Sequence, residues 1–168
     1  YIADNANHVV RKVTSGNIST FAGINGNTSG FTGDGGPATG ANLTQPTAIT
    51  FDSTGNLYIT DNVNNRIRQV ATNGIITTVA SVDSPSAVAT PDGTDTLFVG
   101  GFAVINIVPP GGSMSPIVGT GFAGYSGDGG PAIMAEISRA GGMAIDKAGN
   151  LYFSDVGNNC IRKVDTHN

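Results

Sequence analysis

The sequence has 168 residues, of which 39% are hydrophobic and 12% charged, with 25 glycines, no tryptophan and one cysteine. This length fits one domain, and the few charges and many glycines exclude a disordered chain and favour a turn-rich all-β protein. The net charge of −4 would repel the negatively charged backbone of nucleic acid, so nucleic-acid binding is not expected. No apolar run approaches the ~20 residues that span a bilayer, so membrane insertion is not expected either.

The first segment of the chain is a repeat. Residues 1–13 return as residues 58–70 and as residues 152–164, with an aromatic residue, then Asp, Asn and Arg at the same spacing. After the first copy comes a Gly16-Asn17 turn and another β-rich run. We expect the repeating unit to hold four short antiparallel strands, and we call such a unit a blade. Residues 1–22 supply three of these strands and therefore form a partial blade that lacks its inner strand.

Two longer insertions share a second signature. Residues 30–38 and 124–132 both contain Gly-Asp-Gly-Gly-Pro-Ala, and each continues into a run of small residues. We expect interblade loops at residues 23–45 and 119–138, each with one helical turn that starts near its proline. Asp34 and Asp128 are predicted to accept backbone N–H bonds at the tight turns; a calcium site is the alternative, although each loop offers a single carboxylate.

The remaining segments complete the pattern of four short strands per unit. Residues 46–82 form a full blade, residues 85–118 a degenerate one, and residues 139–168 a partial blade without its outer strand. The degenerate blade keeps the aromatic position as Phe98 but has Gly101 in place of the Asp and Val108 in place of the Arg. Four-stranded units of this length are typical of β-propellers.

These motifs resemble the NHL-repeat β-propellers, especially bacterial extracellular NHL proteins and the corresponding propeller of teneurins. The resemblance implies an all-β fold with blades of four antiparallel strands, about four of them present and both terminal ones incomplete. It also implies a piece of a larger propeller, or a chain whose open edges are covered by further copies. The family includes adhesion modules, RNA binders, sensor domains and a few metal-dependent lyases, so the fold does not choose the function.

Three Asp–Arg pairs occupy the same place in each repeat. We interpret them as structural ties between neighbouring strands of one blade, and on that basis Arg68→Ala is expected to cost on the order of 1 kcal/mol, as for a partly exposed pair. Six of the eight basic residues fall on the same strand of the repeat, which spreads them and gives no basic patch. The pairs are Asp4 with Arg11, Asp61 with Arg68, and Asp155 with Arg162.

Candidate catalytic residues are few. The histidines are His8 and His167, whereas zinc sites need several converging ligands, and no glycine-flanked serine elbow occurs. Cys160 is interpreted as a packed or idle thiol. We therefore expect no cofactor, no metal site and no enzymatic activity.

Three sequons, at Asn17, Asn27 and Asn42, lie in predicted turns or loops and are possible glycosylation sites. Together with the low charge they favour an extracellular or cell-surface location. The expected function is a non-enzymatic module for protein or glycan recognition or adhesion. The alternatives are a structural building block that self-associates into a ring or glycosylated fibre, and, more distantly, a lyase-like enzyme.

Overall fold

The computed structural model describes residues 1–24, 29–91 and 94–165, which form β-strands, turns and short 3-10 helices. Four separate sheets are present, and every strand pairing in them is antiparallel. The predicted all-β fold with antiparallel blades is therefore confirmed. None of the helices in the described ranges is long and apolar enough to cross a membrane. The chain divides into two compact units, Tyr1–Ser84 and Pro85–Asn168.

The first sheet contributes three strands, in the order β1-β2-β3. They are β1 (Ile2–Asp4), β2 (Val9–Thr14) and β3 (Asn17–Ala22). A 3-10 turn at Asn5–Asn7 joins β1 to β2, and His8 ends it in the left-handed conformation. The sheet thus has three of the four strands of a blade, as the repeat predicted.

The second sheet is a complete blade with the order β4-β5-β6-β7. Its strands are β4 (Pro46–Phe51), β5 (Leu57–Asp61), β6 (Arg66–Val70) and β7 (Ile76–Ser81). Every residue of β5 is buried, whereas burial along β7 alternates between buried or half-buried and exposed residues. This difference is typical of a central strand beside an outer one, because a strand at the edge has one face open to water.

The core of the first unit joins both sheets and the insertion between them. Leu57, Ile59, Val70 and Ile76 of the second sheet pack with Val10 and Ala22 of the first sheet and with residues of the insertion. The insertion contributes Ala38, Ala41 and Leu43, all of them at most 3% exposed. The insertion is therefore part of the packed core.

The second unit repeats this plan with one four-stranded and one three-stranded sheet, in the orders β11-β10-β9-β8 and β12-β13-β14. The first of them contains β8 (Ala87–Ala89), β9 (Leu97–Gly100), β10 (Ile105–Val108) and β11 (Ser115–Val118). The last contains β12 (Ala140–Ile145), β13 (Leu151–Asp155) and β14 (Cys160–Val164). Their shared core holds Phe98, Ile105, Val118, Ile137, Ala140, Leu151 and Phe153.

Each insertion folds into a glycine turn followed by a short 3-10 helix, at Ala38–Gly40 and at Ala132–Met134. Gly33 has φ +92°, and a Cβ at this residue would lie 2.6 Å from the Cα of Ala41. Gly127 repeats the arrangement, with φ +88° and 2.6 Å to the Cα of Ala135. The first glycine of each Gly-Asp-Gly-Gly motif is therefore required both by its conformation and by a close approach of the backbone.

An Asp carboxylate organises the hairpin between β4 and β5. Asp52 accepts hydrogen bonds from the backbone N–H groups of Thr54 and Asn56, from both side chains, and from the hydroxyl of Tyr58. Asp52 is 8% exposed; this burial raises its pKa, but the hydrogen bonds from Asn56, Thr54 and Tyr58 outweigh it and hold the pKa below its ordinary value of 3.8. Asp146 organises the β12–β13 hairpin through the same kinds of contact, and its pKa is lowered chiefly by Asn150.

We expect Asp52→Asn to lower the free energy of unfolding by about 1–2 kcal/mol at neutral pH, because the new NH₂ group faces donors in place of an acceptor. Since the folded pKa of Asp52 is lowered, the stabilisation is complete above about pH 3.8 and is lost as the pH falls through the folded pKa. Urea unfolding of the variant and the wild type at neutral and acidic pH measures this. The difference in the free energy of unfolding between the wild type and Asp52→Asn should become smaller in acid. A difference that does not change with pH would contradict the stabilising role of the Asp52 carboxylate. Asp146→Asn, in an exposed hairpin, is the matched control with the smaller loss.

Candidate functional site

Arg68 lies at the centre of a buried ionic network in the first unit. Its side chain is fully buried and bridges two carboxylates, Asp61 at 3.3 Å and Asp34 at 2.7 Å. The guanidinium also donates to the backbone carbonyls of Asn42 and Thr32. Arg68 therefore joins β5 and β6 to the insertion that precedes the blade.

Asp61 completes the attachment of the insertion. Its carboxylate accepts the backbone N–H of Thr44 at 2.7 Å and both oxygens accept the Asn64 side chain, whose amide also donates to the carbonyl of Gly30. Burial raises the pKa of the Asp61 carboxyl, against the effect of these hydrogen bonds and of the Arg68 charge. Without Arg68 this carboxylate would be buried with no opposite charge beside it.

The second unit contains the same network with equivalent residues. Arg162 bridges Asp155 and Asp128 and donates to the carbonyls of Glu136 and Ser126. Asn158 and Ser138 repeat the bonds made by Asn64 and Thr44. This copy is more open, since the Asp128 side chain is 65% exposed where that of Asp34 is 38% exposed.

The first repeat lacks this pairing. Both carboxylate oxygens of Asp4 accept hydrogen bonds from the Asn7 side chain, and Arg11 donates to the Thr20 hydroxyl at 3.0 Å. Thr20 is the strand partner of Arg11 in the β2–β3 register, as Thr78 is of Arg68 in the β6–β7 register, but Arg11 binds this hydroxyl and not the carboxylate of Asp4. The expectation of a strand-joining Asp–Arg pair in every copy is therefore corrected for Asp4 and Arg11.

Asp34 and Asp128 also differ from the prediction. The sequence suggested carboxylates that accept backbone N–H groups at the turn, whereas in the structure each one binds the guanidinium of the following blade. Sequence reasoning paired Arg68 with Asp61 and overlooked Asp34. A signal was available, because the Asp in the loop and the Arg on the strand are 34 positions apart in both copies.

An aromatic side chain of each insertion lies over the central arginine of its network, Arg68 in the first unit and Arg162 in the second. Phe31 lies 3.8 Å from Arg66 and 4.8 Å from Arg68, measured from the ring centre to the guanidinium carbon. Tyr125 is the equivalent residue near Arg162, and its hydroxyl donates to Asp128, which raises the Tyr125 pKa. These contacts are of the cation–π type and strengthen the attachment of each loop.

The remaining predicted residues lie apart from these networks. Asn17 is exposed at the start of β3, whereas the Asn42 side-chain oxygen is buried and the Thr44 hydroxyl of the same sequon binds Gly30. Asn27 and His167 lie outside the described residues. His8 accepts the backbone N–H of Gln45 through Nδ1 at 3.1 Å, and Cys160 is a half-buried free thiol.

The second insertion exposes apolar side chains that the first one does not carry. Its 3-10 helix presents Ile133 (41% exposed) and Met134 (66% exposed), whereas Thr39 and Gly40 stand at the equivalent positions of the first insertion. Phe102 and Phe122 are also exposed, by 58% and 74%. We name these four residues the apolar loop surface.

Backbone hydrogen bonds bring the segments of the apolar loop surface together. The N–H of Gly121, next to Phe122, donates to Ala103, next to Phe102. The N–H of Thr120 donates to the carbonyl of Ala135, next to Met134. Three segments distant in sequence thus place their exposed apolar residues within one region of the second unit.

An open groove of about 550 Å³ lies in the second unit, between residues 127–132 and the outer edge of β14. Val118, Ala135 and Phe153 form its apolar floor. Two ion pairs, Arg162 with Asp128 and Lys163 with Asp165, lie along it. Because each of these charges is paired with an opposite charge of the groove lining, the groove has little net charge.

Comparison with protein families supports the sequence resemblance. The family model of the Teneurin NHL domain matches residues 25–99, which include most of the first insertion and the whole second blade. The predicted resemblance to NHL-repeat propellers is therefore confirmed. No curated protein matches the sequence.

Solved structures show the same fold at low identity. A catalytically inactive virginiamycin B lyase from Staphylococcus aureus with quinupristin has a TM-score of 0.59 and 18% identity, covering 98% of this chain and 62% of the other. The selenomethionine form of that lyase gives 0.55 and 17%, covering 98% and 65%. A streptogramin B lyase gives 0.51 and 14%, covering 98% and 64%. The chain spans less than two thirds of the length of these structures, and the likeness concerns the fold alone.

Proposed function

We propose that the protein is a non-enzymatic extracellular recognition module that binds a protein partner through the apolar loop surface. The observation that carries the proposal is the exposure of Ile133 and Met134 in a loop whose other copy folds with Thr39 and Gly40. Since the first insertion forms the same turn without these apolar side chains, their exposure to water supports a role in binding. The match to the Teneurin NHL domain and the exposed Asn17 sequon support the extracellular location.

The chemistry of this surface favours a protein over a glycan. Aromatic residues and methionine are enriched at protein interfaces, where apolar area is buried at the centre of the contact. A glycan site needs polar groups to bind sugar hydroxyls, and the apolar loop surface is defined by two phenylalanines, an isoleucine and a methionine. The proposed partner therefore presents an apolar face of its own.

The test transfers the first insertion's residues into the second. The double variant Ile133→Thr, Met134→Gly should keep its fold, because the first insertion forms the same turn with these residues. Phage-displayed random peptides selected on the wild type should bind the double variant at least about tenfold more weakly, a loss of about 1.4 kcal/mol. The reverse swap in the first insertion, Thr39→Ile with Gly40→Met, is the matched control.

Peptides that bind wild type and double variant equally well would contradict the proposal. The same two proteins are applied to a glycan array, where wild-type binding that survives the double substitution would indicate a glycan module instead. Circular dichroism and urea unfolding verify that the double variant is folded. A binding loss together with unchanged stability is the expected result.

A second candidate function is a structural building block that self-associates. Within the described ranges β14 pairs only with β13, and its other edge can pair either with a strand of the same chain or with a strand of another copy. Sedimentation separates the two candidates, because a ring gives one discrete oligomer, a fibre gives very large species and a recognition module gives neither. A lyase-like activity is tested by measuring whether the protein consumes quinupristin, the compound named with the structural neighbour.

A further inference from the structure

Arg66 carries a charge that the ionic networks do not use. It begins β6, and its guanidinium donates one hydrogen bond, from Nη1 to the carbonyl of Asn64 at 2.6 Å. Among the described residues no carboxylate forms an ion pair with Arg66, whereas Arg68 and Arg162 each bind two carboxylates. Since a guanidinium has five N–H donors, most of those of Arg66 have no acceptor in the described part of the chain.

The start of this strand does not require a guanidinium. Val9 and Cys160 occupy the same register position in the other two copies of the repeat, and their strands form with one side chain buried and the other half-buried. Arg66 is therefore particular to the second sheet. This sheet is a complete blade in which β6 pairs on both sides, so the position of Arg66 does not depend on an open strand edge.

The surroundings of Arg66 hold its guanidinium in place. The guanidinium carbon lies 3.8 Å from the ring centre of Phe31, which is a cation–π contact. The Asn64 carbonyl binds Nη1, and the Asn64 side chain is itself fixed by the Gly30 carbonyl and the Asp61 carboxylate. A guanidinium that is already ordered loses little further freedom when a ligand binds, which favours affinity.

The chemistry of the free N–H groups indicates the ligand. The planar guanidinium fork matches the two oxygens of a carboxylate with parallel hydrogen bonds. A sugar acid would also need polar groups for its hydroxyls, but the neighbouring side-chain amides are already in use. The Asn64 amide donates within the first unit, and the Asn65 side-chain oxygen accepts the N–H of Ser84. A carboxylate of a peptide therefore fits this position better than a sugar acid.

We propose that Arg66 is a binding site for a peptide carboxylate, supplied by an acidic side chain or by a C-terminus. The two carboxylate oxygens accept the free N–H groups of the guanidinium, while Phe31 and the Asn64 carbonyl keep it in position. The site lies in the first unit and does not use the apolar loop surface. It therefore goes beyond the proposed function, and its test gives a result independent of that function.

The test is an NMR titration of the full chain, followed through the backbone amide signals of residues 64–67. A Gly-Glu-Gly peptide capped at both ends supplies a side-chain carboxylate, and a Gly-Gln-Gly peptide with a free C-terminus supplies a terminal one. Gly-Gln-Gly capped at both ends is the neutral control. At least one carboxylate peptide should saturate with a dissociation constant on the order of 1–10 mM, and the control should bind at least about tenfold more weakly.

Variants of the protein locate the site. Arg66→Gln should weaken binding of the carboxylate peptide at least about tenfold, and Arg66→Lys should restore only part of it, because it keeps the charge and loses the planar fork. Lys147→Gln removes the same charge from an exposed residue of the β12–β13 hairpin and should leave binding unchanged. Urea unfolding verifies that Arg66→Gln is folded, and if it is not, the peptide series still decides the question.

Three results would overturn the proposal. The first is that neither carboxylate peptide saturates, and the second is that the neutral peptide binds equally well. The third is that Arg66→Gln stays folded and binds like the wild type, since the carboxylate would then lie elsewhere. Glucuronate and inorganic phosphate are titrated in parallel, and tighter binding of either than of both carboxylate peptides would also contradict the assignment to a peptide carboxylate.

Discussion

Arg68→Ala should lower the free energy of unfolding by about 3–5 kcal/mol, because it leaves the buried Asp61 carboxylate without its opposite charge. The same change removes the donor to Asp34 and to two backbone carbonyls of the insertion. Urea or guanidinium unfolding followed by circular dichroism measures the loss. The sequence-based figure of about 1 kcal/mol assumed a partly exposed pair, and the complete burial of Arg68 corrects that assumption.

Arg162→Ala is the matched control for this prediction. It removes the equivalent arginine from a network whose Asp128 is 65% exposed, so water replaces part of the lost interaction and the cost should be clearly smaller. Arg68→Lys should recover only part of the stability, since a single ammonium group cannot reach two carboxylates and two carbonyls at once. Equal losses for Arg68→Ala and Arg162→Ala would show that burial does not determine the strength of the network.

Gly33→Ala should cost about 2–5 kcal/mol, combining the strain of a left-handed alanine with a collision against the backbone. The new Cβ would lie 2.6 Å from the Cα and 2.7 Å from the Cβ of Ala41. Ala41 belongs to the core of the first unit, so neither side of this contact can move freely. Thermal or urea unfolding measures the effect.

Gly35→Ala separates the two causes. Gly35 has φ +82°, close to that of Gly33, but a Cβ there would meet no atom within 4 Å. Its substitution should therefore cost only the conformational strain of about 1–2 kcal/mol. If Gly33→Ala and Gly35→Ala lower the free energy of unfolding equally, the close approach of Ala41 does not contribute to the requirement for glycine at position 33. Gly127→Ala and Gly129→Ala repeat the comparison in the second unit.

The strands could be predicted because their signals are local. Period-two apolar runs and Gly-Asn turns depend only on neighbouring residues, and the β4–β5 hairpin lies where Asp52 and the Gly55-Asn56 turn place it. The repeat of these signals was enough to indicate blades. Their recurrence at 1–13, 58–70 and 152–164 also showed which sheets would have three strands.

The networks could not be predicted in full because they depend on how the insertions fold back. Asp34 meets Arg68 only when the glycine turn brings the loop against the following blade, and no local pattern states that direction. Burial of Arg68 has the same origin, since the insertion covers it. The burial of the Asn42 side-chain oxygen and the exposure of Met134 likewise depend on packing that a single sequence does not reveal.

The attachment of each insertion to the next blade has a consequence for how such chains grow. The bonds of Arg68 to Thr32, Asp34 and Asn42 join the insertion to the blade that follows it, so residues 30–82, which we call a cassette, contain every partner of this arginine. A duplication or recombination cut between insertion and blade would separate a buried guanidinium from its acceptors, whereas a cut ahead of Gly30 carries every partner along. Lengthening or shortening of the array by whole cassettes from that boundary therefore preserves each unit's ionic core.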